Sequence, residues 1–140
     1  MTHILIISAR FYESIASELE SGAVSTLQES GATFDVEAVP GAFEIPAAIG
    51  FATKTKQYNG FIALGCVIRG ETSHYDYVCG ESARGLMDLS LQHGCAIGYG
   101  ILTVENEEQA WERASVTQGN KGRDAANACL RMIQLKKQFE

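Results

Sequence analysis

In the segment VIRGETSHYDYV, residues 67–78, an apolar run gives way to Arg69, Gly70, Thr72 and His74. These residue types hold anions and move protons. An imidazole titrates near neutrality and can serve as a proton shuttle. Gly70 permits a sharp turn and lets a ligand approach the backbone closely. Thr72 and Ser73 add hydroxyls, and a helix that follows offers free N–H groups and the positive end of its dipole, a reasonable phosphate cradle. The same residues also fit an ordinary capped helix start with a surface histidine. Of the other histidines, His3 opens an apolar run and His93 sits near a helix end, both structural positions.

Three further stretches carry unusual side chains. In VPGAFEIP, Phe43 and Glu44 stand beside a glycine, where a ring and a carboxylate suit a planar, hydroxylated ligand; a core Phe and a helix-start Glu fit equally well. In SARF, Phe11 follows Arg10 as a stacking ring or as a lid over the core. In ERASVTQGNKGRDAA, Arg113, Lys121 and Arg123 gather around a helix interruption at Gly119 and Gly122, which suits an anion site, a subunit contact or a solvated loop.

These residues need elements to position them. HILIISA, residues 3–9, and FIALGCVI, residues 61–68, are apolar runs typical of strands buried on both faces. TFDVEAV, residues 33–39, and AIGYGIL, residues 96–102, complete four strands. Ile15, Leu19, Ala23 and Leu27 form one stripe of a helix over 13–30, with Gly31 as its C-cap. A helix entered at Pro46 runs to about Lys56, and another spans Tyr75 to about His93, closed by Gly94. Asn106 and Gln109 form a capping box, and a last helix buries Ala125, Ala128, Cys129, Met132 and Ile133. The order β-α-β-α-β-α-β-α-α requires right-handed crossovers. The expectation is an α/β three-layer α/β/α sandwich, a single domain over 1–140, with a parallel four-stranded sheet of order 2-1-3-4. Ligands in such a sheet bind beyond the carboxyl ends of the strands, where the first three unusual stretches fall.

The totals agree with one globular domain. The chain has 140 residues, 46% hydrophobic and 20% charged. Its 11 Lys and Arg against 17 Asp and Glu give a net charge of −6, which argues against nucleic acid as a partner. Cys66, Cys79, Cys95 and Cys129 lack metal-ligand or disulfide spacing and read as small buried hydrophobes. No membrane span or signal peptide is apparent, so a cytoplasmic location is expected. No Walker or dinucleotide fingerprint occurs.

Taken together, ARFYESI, VPGAFEIP, GCVIRGETSHYDYVC, YGILTVENEEQAWERA and GNKGRDAA resemble the lumazine synthase family in order and spacing, over nearly the whole chain. The resemblance implies a flavodoxin-like fold, assembly as pentamers and active sites between adjacent subunits. It implies condensation of 5-amino-6-(ribitylamino)uracil with 3,4-dihydroxy-2-butanone 4-phosphate, by imine formation, phosphate loss, tautomerisation, ring closure and dehydration. The products are 6,7-dimethyl-8-ribityllumazine, phosphate and water, made without metal or organic cofactor in the penultimate step of riboflavin biosynthesis.

Carried onto this sequence, the resemblance makes Phe11 the stacking ring. Gly41, Ala42, Phe43 and Glu44 contact the ring and ribityl chain, and Cys66, Val67 and Ile68 edge the heterocycle. Glu71 and Thr72 belong to the phosphate turn, with Glu71 offering its backbone N–H while its carboxylate points away. His74 is the proton shuttle. Arg113 reaches in from the neighbouring subunit to the phosphate, Tyr99 closes the pocket from that neighbour, and Lys121 lies near the same interface. Riboflavin synthase is an implied partner. The chain opens directly on its first strand, whereas longer members carry a leading segment; the short SVTQGNKG loop permits a shell. These two features point opposite ways on assembly beyond the pentamer. The rival expectations are a non-catalytic flavin- or lumazine-binding protein of the same fold and a generic flavodoxin-like domain. The second calls for an acid cluster or FMN site after the first strand, where SARF offers no acid.

Overall fold

A computed structural model describes residues 1–140. Four strands, β1 (His3–Ala9), β2 (Thr33–Val39), β3 (Gly60–Ile68) and β4 (Ile97–Val104), form one parallel sheet of order β2-β1-β3-β4. The helices are α1 (Glu13–Ser30), α2 (Ile45–Thr53), α3 (His74–His93), α4 (Glu107–Ala114) and α5 (Lys121–Gln138). A single 3-10 turn, Ala42–Glu44, precedes α2. This is the parallel α/β arrangement of order 2-1-3-4 expected from the order of elements, and it is flavodoxin-like, as the resemblance implies.

The period of two along each strand divides the core. Ile4, Ile6, Ile62 and Leu64 face α1, α4 and α5, where Leu19, Ala110 and Cys129 are buried. Leu5, Ile7, Phe61 and Ala63 face α2 and α3, meeting Ile45, Ile49 and Leu86. The apolar runs of β1 and β3 therefore serve two cores at once. The expectation of a sheet covered on both faces fails at Tyr99 and Thr103 of β4, which are exposed, and throughout β2. The residues of β2 are all exposed or half-buried, because the helices sit over β1, β3 and β4.

Several boundaries differ from the periodicity. α2 stops at Thr53, not Lys56, because the Thr53 and Thr55 hydroxyls donate to the carbonyls of Gly50 and Ala52 at 2.7 Å, offering the backbone an alternative to the helix. β4 continues past Leu102, since Thr103 and Val104 pair with Val67 and Ile68. α1 and α3 end on Gly31 and Gly94 at φ 81° and 65°, the left-handed caps their sequence suggests.

The buried stripe of α5 is Gly122, Ala125, Ala126, Cys129 and Ile133. Ala128 is exposed, and Met132 is 44% exposed, contrary to the expectation for both. The helix packs against α1 as well as the sheet, which turns Ala126 inward. At Gly122 a Cβ would lie 2.0 Å from the Leu19 carbonyl oxygen, so only glycine lets α1 and α5 approach this closely. Cys129 is buried, but Cys66, Cys79 and Cys95 are only half-buried, contrary to the expectation for all three. No helix is long and apolar enough to cross a membrane.

Candidate active site

β1 delivers the first side chains. Beyond Ala9, Arg10 is occupied by the protein itself. Its guanidinium pairs with Glu20 and donates to the Ser17 hydroxyl at 3.0 Å, and the Ser8 hydroxyl also donates to Glu20. This ties β1 to α1 and leaves Phe11 to project. Phe11 is 73% exposed, and its ring meets Tyr12 edge-on at 4.9 Å and 79°. Tyr12 packs on the α1 side of the core, and burial raises its hydroxyl pKa, with smaller contributions from Cys66 and Glu107.

After β2 the chain turns through Gly41 into the 3-10 turn. Ala42 is buried and anchors it, which leaves Phe43 (55% exposed) and the exposed Glu44 facing outward. Glu44 precedes α2, where the helix dipole favours a carboxylate. β3 ends in half-buried Cys66, buried Val67 and half-buried Ile68. Burial, reinforced by Cys79 and Glu107, pushes the Cys66 thiol up to about 12. Cys66 is therefore a neutral wall and not a nucleophile at neutral pH.

These strand ends meet around a cavity of about 490 Å³. It is lined by Phe11, by Gly41, Ala42, Phe43 and Glu44, by Cys66, Val67 and Ile68, and by His74. All nine were expected there. Tyr12 and Val78 also line it and were not. Val78 had a readable signal, being one helical turn beyond His74 on the same face. Tyr12 follows the stacking ring in sequence, and nothing in its type distinguished it from a core residue.

His74 is the first residue of α3 and exposed. Its ring makes no hydrogen bond within the protomer, while its backbone N–H donates to Thr72 Oγ1 at 3.3 Å. The preceding turn, Gly70 to Ser73, is exposed, and none of its four backbone N–H groups donates a hydrogen bond within the protein. Consecutive unpaired N–H groups before a helix suit an anion. Glu71 and Thr72 lie on this turn, beside the cavity and not in its wall.

The other sequence-derived candidates lie elsewhere on the protomer. Tyr99, on the outer strand β4, borders a separate apolar cleft of about 260 Å³ with Leu86 and Met87. Arg113 lies in the last turn of α4, where its guanidinium donates to the Gln109 carbonyl at 3.0 Å and lies 3.9 Å from Glu112. Lys121 opens α5, 3.8 Å from Asp124. α4 and α5 pack on the face of the sheet opposite α3, so neither cation lines the cavity. A wider cleft of about 730 Å³ adjoins it across Phe11 and Tyr12, but its walls carry Glu13, Glu107 and Glu108, the wrong charge for a phosphate.

Against this geometry the comparisons are decisive. The sequence profile described as 6,7-dimethyl-8-ribityllumazine synthase matches residues 1–137. The chain belongs to the 6,7-dimethyl-8-ribityllumazine synthase family. Among its relatives, the 6,7-dimethyl-8-ribityllumazine synthase of Bartonella bacilliformis is 59% identical over 139 residues, covering 98% of this chain and 91% of that protein. The relative from Bartonella tribocorum is 59% identical over 138 residues, with the same coverage. The 6,7-dimethyl-8-ribityllumazine synthase 1 of Rhizobium meliloti is 55% identical over 142 residues, covering 98% of this chain and 93% of its own. Family membership thus coincides with a cavity at the strand ends that combines exposed rings, a free imidazole and unpaired backbone donors.

Proposed function

We propose that the protein condenses 5-amino-6-(ribitylamino)uracil with 3,4-dihydroxy-2-butanone 4-phosphate to give 6,7-dimethyl-8-ribityllumazine, phosphate and water. The observation that carries this reading is the convergence of exposed Phe11, free His74 and the unbonded N–H groups of Gly70 to Ser73 around one cavity mouth.

In this reading the pyrimidine ring stacks on Phe11 and lies along the Val67–Ile68 edge. Gly41, Ala42 and Phe43 line its far side, and Glu44 accepts hydrogen bonds from ring or ribityl donors. Cys66 contributes an uncharged wall. The phosphate sits in the turn that holds Glu71 and Thr72, on backbone N–H groups and the positive end of α3. His74, whose ring has no competing partner, carries protons between the 5-amino nitrogen, the butanone carbonyl and the leaving phosphate. Proton transfer of this kind contributes about 10²–10⁴-fold. Holding two substrates in reacting geometry supplies a further large share.

Arg113, Tyr99 and Lys121 complete the site from a neighbouring copy in a homopentamer. Support comes from their exposure on the protomer and their absence from its own cavity wall. Arg113 anchors the phosphate there, since a guanidinium holds phosphate oxygens with two parallel donors. A cytoplasmic location and riboflavin synthase as a partner belong to the same reading. The direct test is to mix the purified protein with both substrates and follow lumazine fluorescence and phosphate release. Stoichiometric appearance of both is expected; binding without turnover would leave a non-catalytic lumazine-binding protein.

A further inference from the structure

Arg69 lies on the same turn as His74, yet it does not line the cavity. Its Nε lies 3.0 Å from both carboxylate oxygens of Glu105, just beyond β4. Its Nη1 reaches Asp76 Oδ1, in the first turn of α3, at 3.5 Å. The guanidinium carbon sits 4.2 Å from the centre of the Tyr75 ring. The Arg69 backbone N–H donates to the Val104 carbonyl at 2.9 Å, and Glu105 N–H donates to Gln109 Oε1 at 2.7 Å. One side chain thus joins the end of β3, the end of β4 and the start of α3. Between Arg69 and His74 no backbone N–H is tied to another element.

We infer that Arg69 is a positioning residue for the phosphate turn and His74, and that it also neutralises two carboxylates which would otherwise repel the phosphate substrate. This rests on the function proposed above. Without the guanidinium, Glu105 and Asp76 stand unpaired beside a turn meant for an anion. The turn then loses the side-chain link from Arg69 to Glu105, just beyond the end of β4. Stability is nearly untouched, because the side chain is 41% exposed and exposed pairs contribute little.

The test compares Arg69→Gln, Arg69→Lys and Arg69→Gln/Glu105→Gln by steady-state kinetics on each substrate, by binding of inorganic phosphate and by thermal unfolding. Arg69→Gln is expected to raise KM for the butanone phosphate about tenfold or more, as removal of local positive potential does, and to weaken inorganic phosphate in parallel. KM for the pyrimidine should move less than about twofold, and the melting temperature by only a few degrees. Adding Glu105→Gln should recover part of the phosphate affinity, an outcome that a merely structural role does not produce. Arg69→Lys keeps the charge but not the fork, and should fall between wild type and Arg69→Gln; it also serves as the test variant should the glutamine form fail to fold. Equal phosphate-substrate KM values in wild type and whichever variants fold, or equal rises for both substrates without recovery in the double variant, would overturn the inference. An inactive wild type would instead sink the functional assignment, leaving the inorganic phosphate measurement to decide the turn's role by itself.

Discussion

Replacing Phe11 by alanine separates a ring kept for a ligand from one kept for the fold. Phe11 is 73% exposed, so folding hides only about a quarter of its surface. Complete burial of a phenylalanine side chain is worth about 1.5–3 kcal/mol, so the fold should lose roughly 0.4–0.8 kcal/mol through area. The edge-on contact with Tyr12 adds about 0.5–1.5 kcal/mol at most. Stacking a planar heterocycle on an aromatic ring is worth about 1–3 kcal/mol. That converts to roughly a 5- to 140-fold loss in affinity. Steady-state kinetics should therefore show KM for the pyrimidine rising within this range, while KM for the butanone phosphate changes less than about twofold, since uniform binding is lost for one substrate alone. Leu19→Ala is the contrasting control. Its side chain is fully buried, and truncation should cost about 2–5 kcal/mol in denaturant unfolding. The reasoning fails if Phe11→Ala leaves the pyrimidine KM unchanged, raises both KM values equally, or destabilises the protein as much as Leu19→Ala.

His74→Ala should slow turnover by about 10²–10⁴-fold without abolishing it, and Arg113→Ala should cost more in kcat/KM by removing the phosphate anchor; kinetics giving the reverse ranking would redistribute these roles. Cys66, its thiol pushed to about 12, should carry a thiolate fraction of only about 10⁻⁴ near pH 8, so iodoacetamide should label it slowly despite its place in the cavity wall; rapid labelling mapped to Cys66 by mass spectrometry would refute this. The Tyr58 hydroxyl, and after it His3, hold the Asp35 carboxyl below its ordinary pKa. A depressed carboxylate stabilises the fold above its unfolded-state pKa, and that contribution fades as pH falls through the lower folded-state value. Asp35→Asn should thus melt earlier than the parent at neutral pH and converge with it in acid; a gap that widened on acidification would contradict the linkage.

Much of this molecule can be read from its residues because local and long-range demands agree. The runs at 3–9 and 61–68 are apolar throughout since both faces of β1 and β3 are covered, and glycines stop α1 and α3 where left-handed caps are needed. The cavity was legible for the same reason: in a parallel sheet the turns after β1, β2 and β3 must converge, so Phe11, Phe43, Glu44 and His74 had to meet. What could not be read depends on partners distant in sequence. Arg69 looked like an anion ligand, yet its partner Glu105 lies 36 residues away and claims its guanidinium. Ala126 displaced Met132 from the interior only because α5 packs on α1 as well as on the sheet. In the capping box, Gln109 N–H donates to Asn106 as expected, but the Gln109 side chain reaches the N–H of Glu105, one residue further back than in the standard motif.

Subunit complementation tests most directly whether the site is shared between copies. His74→Ala and Arg113→Ala chains, co-expressed in equal amounts and purified as mixed assemblies, pair at random around a ring. In a head-to-tail interface, roughly a quarter of the sites then receive both His74 from one chain and Arg113 from its neighbour. The account predicts lumazine formation near that fraction of the wild-type rate, well above either parent. Activity no higher than the mean of the two parents would mean that both residues must come from one chain, and the shared site would be wrong.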